Sequence, residues 1–282
     1  MNSTRRRSGP PLLRGVIRTP YYVLTTGLAV IFLYPILWTM IESFSAQPGS
    51  AQTDGYGLGN YTTLVSYQAG LGVYLMNSLV ISLVAVLVTL VLSLLGGYAF
   101  ARFNFPGKNL LFLLTLSILM VPYATLLIPL VIWLKYLHLN NTLVGVGIVL
   151  AVFQLPFAVF MMRISFEAIP REVEEAALID GCGTFGALRR VLIFAVKPGL
   201  ITVGIFAFLA AWNDFMVPLY LLGGDKQPLP LALVNMRQQV MGVIDYGATE
   251  AGVVVLMVPC VVLFLSLQRH YVRGFMSGAL KG

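Results

Sequence analysis

The side chains best able to do chemistry in this sequence crowd into residues 165–197, a 33-residue stretch bounded by apolar runs. Pro170 is followed by Glu172, Glu174 and Glu175, then by Ala176-Ala177-Leu178-Ile179-Asp180 and Gly181. Proline suits the first position of a helix, where its missing N–H costs nothing. Carboxylates in the first turns are favoured by the helix dipole. Ala176 to Ile179 are good or acceptable helix formers, and Gly181 supplies a natural stop. A second helix is predicted over 185–196, with Arg189 and Arg190 on its surface. The chemistry of this pattern is recognition. Small alanines beside a tight turn let a neighbouring protein approach closely, and the flanking acids and bases set its register. The residues alone leave a second reading open, in which both helices simply lie on a membrane surface.

Gln154, Asn213 and Asp214 are polar groups inside apolar runs. Placing them in lipid is costly, so they are the candidates for lining a pathway. They fit equally well as inter-helix hydrogen-bond partners, with Asp214 at headgroup depth, and that reading is preferred. Pro122, Pro129 and Pro156 are expected to kink their helices. The chain has no GxxxxGK[ST] phosphate loop and so no usual means of binding ATP. Its only histidines, His138 and His270, fall on opposite sides of the membrane, and its only cysteines, Cys182 and Cys260, fall at different depths. Neither a metal site nor a disulfide is expected, and no catalytic constellation is found.

The elements that must position these residues are membrane spans. Of 282 residues, 58% are hydrophobic and 10% charged, against about 25% charged in an ordinary soluble domain. A span needs about 20 mostly apolar residues to cross a hydrocarbon core about 30 Å thick. Six segments qualify: 21–41, 73–101, 110–134, 142–164, 198–222 and 248–268. They are continuous rather than alternating in polarity, so they are helices and not barrel strands. With the amino terminus inside, fifteen of the 18 Lys and Arg fall on the cytoplasmic side, leaving only Lys135, Lys226 and Arg237 outside. The positive-inside rule therefore places both termini in the cytoplasm. The net charge of +7 is a matter of topology and calls for no nucleic-acid partner. The first segment competes with a secretory-signal reading, but 21 apolar residues exceed the usual 7–15, so it is read as a retained span. The domain reading is a flexible basic segment over 1–20, one membrane domain over 21–269 with outer loops 42–72 and 223–247, and a cytoplasmic tail over 270–282.

Glu175-Ala176-Ala177, three residues, then Gly181 resembles the EAA loop of the permeases of binding-protein-dependent ABC importers. That family's loop continues to an isoleucine-any-leucine-proline pattern, where this chain has Val191-Leu192-Ile193-Phe194 and lacks the proline. Tyr98-Ala99-Phe100-Ala101-Arg102-Phe103 with Pro106-Gly107, Trp212-Asn213-Asp214-Phe215 with Pro218-Leu219, and the tail from Gln268 to Gly282 resemble the MalG-like carbohydrate permeases. The resemblance implies an all-α integral membrane protein with six transmembrane helices and the type I ABC importer permease fold, multi-pass in a bacterial inner membrane. It implies a non-catalytic subunit that pairs with a MalF-like permease, two ABC ATPase subunits and an extracytoplasmic solute-binding protein. No cofactor belongs to this chain, since ATP and magnesium would be held by the ATPases. Coupling to them would fall on Glu175, Ala176, Ala177, Asp180 and Gly181, flanked by Arg189 and Arg190. The tail residues Gly278, Ala279, Leu280, Lys281 and Gly282 would also approach the ATPases. The outer loop 223–247 would face the binding protein. Transport would proceed by alternating access.

The implied solute is a sugar or oligosaccharide. Glycerol-3-phosphate or a glycerophosphodiester is the alternative, because such permeases share the loop and tail, although the spans carry no arginine cluster for phosphate. A gradient-driven secondary transporter is disfavoured by the scarcity of ionisable groups at mid-membrane. A membrane-embedded enzyme is disfavoured by the lack of paired catalytic groups.

Overall fold

The computed structural model describes residues 11–47, 50, 52, 54–239 and 245–279, with side chains described over 20–47, 50, 52, 54–237 and 245–267. Those residues are almost wholly helical, with one isolated β-bridge between Ser45 and Tyr56. Four helices are long and apolar enough to cross a membrane: Pro20–Glu42, Leu71–Arg102, Leu143–Glu167 and Tyr246–Leu267. Two bent pairs bring the number to six if each pair counts as one span. The last helix runs unbroken to Ala279 and the first begins at Pro11, so helix extends into both segments read as terminal extensions.

The second span (Leu71–Arg102) and the fourth (Leu143–Glu167) form the centre. Ser78, Ser82, Ala85, Thr89, Ser93 and Gly97 are buried at helical spacing along the second span. Such small residues let helix backbones approach closely where lipid offers no hydrophobic drive. A Cβ on Gly147 would lie 2.7 Å from the Val84 side chain and 2.9 Å from the Ile81 carbonyl oxygen, and one on Gly97 would collide with Met162. These two spans are therefore locked together over much of their length. The fifth span packs on both, and on the last helix, to which Trp212 Nε1 donates at 3.0 Å through the Leu256 carbonyl. The first span packs against the last helix and exposes its side chains almost throughout, as a lipid-facing helix does.

The third and fifth spans are not the continuous helices expected over 110–134 and 198–222. The third is Lys108–Met120 followed by Tyr123–Tyr136, bent by 107°. Pro122 has no N–H to continue the ladder, and it forces Val121 into an extended conformation (ψ 125°). The second arm has 14 residues, about 21 Å of helix, and would not cross alone. Pro129 and Pro156 lie inside helices that continue through them. The fifth span stops at Asn213, is extended at Asp214 (ψ 130°) and restarts as Met216–Leu221. Pro218 explains the break, since its ring would meet the carbonyl four residues earlier, that of Asp214, in an unbroken helix.

The outer loop 223–247 is more structured than its Pro-rich start implied. It contains a helix, Leu229–Gln239, with Leu229, Leu231, Ala232, Leu233 and Met236 buried. Asn77 Nδ2 donates to the carbonyls of Asp225 and Gln227 (2.9 and 3.0 Å), and Ser78 Oγ accepts from Leu229 N at 2.8 Å. The apolar face of this segment thus docks on the bundle, while Gly223 to Lys226 stay exposed.

Candidate functional site

The site forms at the arginine-rich end of the bundle. The first loop helix, Arg171–Ile179, has Glu172 and Glu174 in its first turn. Pro170 stands one position earlier than expected, as the cap residue with ψ 142°, an extended value its fixed φ readily accommodates. The stop is a complete Schellman motif: Gly181 N–H bonds the Leu178 carbonyl at 3.1 Å and Cys182 N–H the Ala177 carbonyl at 3.0 Å. Gly181 takes φ +85°, where a side chain is strained, although space around its Cα is open.

The second loop helix, Thr184–Ala195, folds back against the bundle and includes one π-helical turn at Leu188–Leu192. Ala187, Leu188, Leu192 and Val196 are buried against Tyr98, Ala101, Ala158, Met162, Phe166 and Val203. The exit that the missing proline at Phe194 put in question is made two residues later. Val196 turns the chain (φ −87°, ψ 4°), and Lys197–Asn213 leaves at 78° with Pro198 in its first turn. Phe194 itself is exposed.

A buried polar cluster ties the first loop helix to the second span. Arg102, on the last turn of that span, donates from a terminal guanidinium nitrogen to the Ile169 carbonyl at 3.0 Å. Its Nε lies 3.1 Å from Glu174 Oε2, a charge contact with both side chains largely shielded (6% and 13% exposed). The Tyr98 hydroxyl donates to the other carboxylate oxygen of Glu174. Sequence reasoning noticed Tyr98 and Arg102 as a motif and Glu174 as a first-turn acid, but did not join them. The available signal was an arginine at a span end facing an excess acid in the next inner loop.

With Glu174 and Ala177 turned inward, Glu175, Ala176, Ile179, Asp180 and Gly181 all lie on the exposed side. Ile179 is 84% and Phe185 67% exposed. Arg189 and Arg190 are exposed, and among the described residues neither has an ion-pair partner. Of the seven predicted coupling residues, six therefore share an accessible surface, and Ala177 (6% exposed) packs behind it. An apolar tip ringed by unpaired charges is the composition of a protein-contact surface.

The remaining candidates lie elsewhere. Asn213 Nδ2 donates to the Leu209 carbonyl at 2.8 Å, and Asp214 Oδ1 accepts from Val217 N at 2.8 Å. Asp214 thus caps the short helix after the break, a local structural task. Gln154 is half-buried and makes no side-chain hydrogen bond among the described residues. Gly278 and Ala279 end the last helix, whereas Leu280, Lys281 and Gly282 lie outside the described residues. No cluster of metal-ligating side chains occurs among the described residues.

Comparison with known proteins accounts for this arrangement. The profile of the family described as "Binding-protein-dependent transport system inner membrane component" matches residues 93–276, from the inner half of the second span through the whole loop. The trehalose transport system permease protein SugB of Mycobacterium tuberculosis is 33% identical over 278 residues, covering 95% of this chain and 100% of that protein. The diacetylchitobiose uptake system permease protein NgcG of Streptomyces coelicolor is 31% identical, covering 90% and 85%. The trehalose/maltose transport system permease protein MalG of Thermococcus litoralis is 29% identical, covering 90% and 94%. A chain in the crystal structure of a bacterial ABC transporter involved in the import of the acidic polysaccharide alginate superposes with a TM-score of 0.76 over 95% of this chain and 100% of its own, at 20% identity, which establishes the fold. This chain belongs to the binding-protein-dependent transport system inner membrane components, the permeases of ABC importers. It is a multi-pass inner-membrane protein with the type I importer permease fold.

Proposed function

We propose that the chain is the permease subunit of an ATP-driven importer for a sugar or oligosaccharide, coupled through residues 165–197 to ATPase subunits that supply all the hydrolysis. The observation that carries this reading is the loop surface: Glu175, Ala176, Ile179, Asp180 and Gly181 lie exposed beside Phe185 on a backbone braced from behind. A rigid exposed tip of this kind transmits force to or from a partner. The solute class rests on the relatives, whose names specify trehalose, diacetylchitobiose, trehalose/maltose and arabinooligosaccharides. A second similar permease would complete the pathway, an external binding protein would deliver the solute, and closure of two ATPases on MgATP would open the outer side. In this scheme Gln154, whose side chain has no partner within the chain, is the candidate for contact with the pathway. The exposed part of 223–247 is the candidate contact for the binding protein, and Gly278 to Gly282 for the ATPases.

The test is Ile179→Glu. Its position is exposed, so the fold should be unaffected, while co-purification of the ATPase subunits should fall at least tenfold. Undiminished co-purification overturns the coupling assignment. Uptake of labelled trehalose or diacetylchitobiose into vesicles holding the assembled transporter tests the solute class. Uptake of glycerol-3-phosphate and of neither sugar overturns it.

A further inference from the structure

The loop is attached to the bundle very differently at its two ends. On the exit side it meets the fifth span through a single turning residue, Val196, at 78°. On the other side the second span grips it: Arg102 holds the Ile169 carbonyl just before the loop helix, and Tyr98 and Arg102 both hold Glu174 within it. These bonds bridge 67 and 76 residues of sequence, and they lie behind the exposed surface rather than on it. The gripping residues belong to a helix that is itself interlocked with the fourth span at Gly97 and Gly147. A load applied at Asp180–Gly181 thus meets a stiff connection to two spans and a pliable one to the third.

We propose that Tyr98, Arg102 and Glu174 form the joint through which the loop helix drives the second and fourth spans as one body, with Val196–Lys197 as the hinge towards the fifth span. These are positioning residues, and the proposal rests on the coupling role assigned to the loop. Removing the carboxylate charge leaves Arg102 shielded and unpaired, so the loop helix loses its register on the second span while its outer face remains intact.

The experiment places spin labels at Asn104→Cys and Arg171→Cys, across the joint, and at Asn104→Cys and Lys197→Cys, across the hinge, in the transporter assembled with its ATPases. Distances are measured without nucleotide and with MgATP trapped by vanadate. In the otherwise unaltered protein the joint distance should stay fixed and narrow while the hinge distance shifts. In Glu174→Gln the joint distribution should broaden at least twofold and become nucleotide-dependent, with the ATPases still bound. Tyr98→Phe, which removes one oxygen, should show the same trend and gives the reading if Glu174→Gln does not assemble. A joint that moves with nucleotide in the unaltered protein, or that stays equally narrow in these variants, overturns the proposal alone. Absence of nucleotide-dependent change at either pair in the unaltered assembly overturns it together with the coupling role of the loop.

Discussion

At the scale of single residues, Gly181 combines two constraints that are usually separate. Its φ of +85° costs a non-glycine residue on the order of 1–3 kcal/mol, yet no neighbouring atom lies within 4 Å of where a Cβ would stand. Gly181→Asp is therefore expected to insert and fold, with a carboxylate now projecting into the coupling surface, and ATP-driven uptake in reconstituted vesicles should fall at least tenfold. Normal uptake would contradict a docking role for that surface. Asp214 has the opposite character: its oxygen serves Val217 N rather than an open cavity. Asp214→Asn keeps an acceptor and should hold uptake within twofold of the parent, whereas Asp214→Ala should cost about 1 kcal/mol of stability, typical of a lost cap. A large transport loss in Asp214→Asn at unchanged melting temperature would restore Asp214 to the pathway.

At the scale of elements, the decisive contact is between the second and fourth spans. Gly147 faces Val84 and the Ile81 carbonyl so closely that even one added carbon must displace something. Gly147→Val is thus expected to destabilise by about 1–3 kcal/mol through overpacking, read as a lower melting temperature of the detergent-solubilised protein. Gly27, around which nothing lies within 4 Å, is the control at which Gly→Ala should be neutral or slightly stabilising. The loop shows the converse economy. Ala187, Leu188, Leu192 and Val196 bury one face, so the charged and apolar groups on the other side gain rigidity without a soluble domain beneath them.

At the scale of the whole molecule, the basic end carries Arg102, Arg163, Arg171, Arg189, Arg190 and Lys197, while Lys226 lies in the loop tied to the opposite end of the second span through Asn77. That separation predicts labelling behaviour in intact cells. Lys226→Cys should react with an impermeant maleimide added outside, and Arg190→Cys should react only after permeabilisation. The reverse pattern would invert the topology. The bent third span and lipid-facing first helix are also whole-molecule features, since each leaves apolar surface for lipid or another membrane subunit to cover.

The positions of the long spans, their helical nature, the charge asymmetry and the helix–glycine–helix form of the loop were legible in the sequence. Each depends on local composition: apolar length, placement of Lys and Arg, and the backbone preferences of proline and glycine. The breaks at Val121-Pro122 and Asp214 were only half legible. Pro122 and Pro218 were visible, but whether a proline bends or severs a helix depends on what its neighbours can satisfy, as the unbroken course through Pro129 and Pro156 shows. The burial of Leu229–Gln239 was hidden because its apolar face is matched by residues far away in sequence, among them Leu64, Tyr74 and Ala251. Only the tertiary structure brought Glu174 to Tyr98 and Arg102 and turned Ala177 inward while leaving Glu175 and Ala176 outside. Which acid of a run becomes the buried partner is set by the angle at which the loop helix meets the second span, and that angle is fixed by packing rather than by residue type.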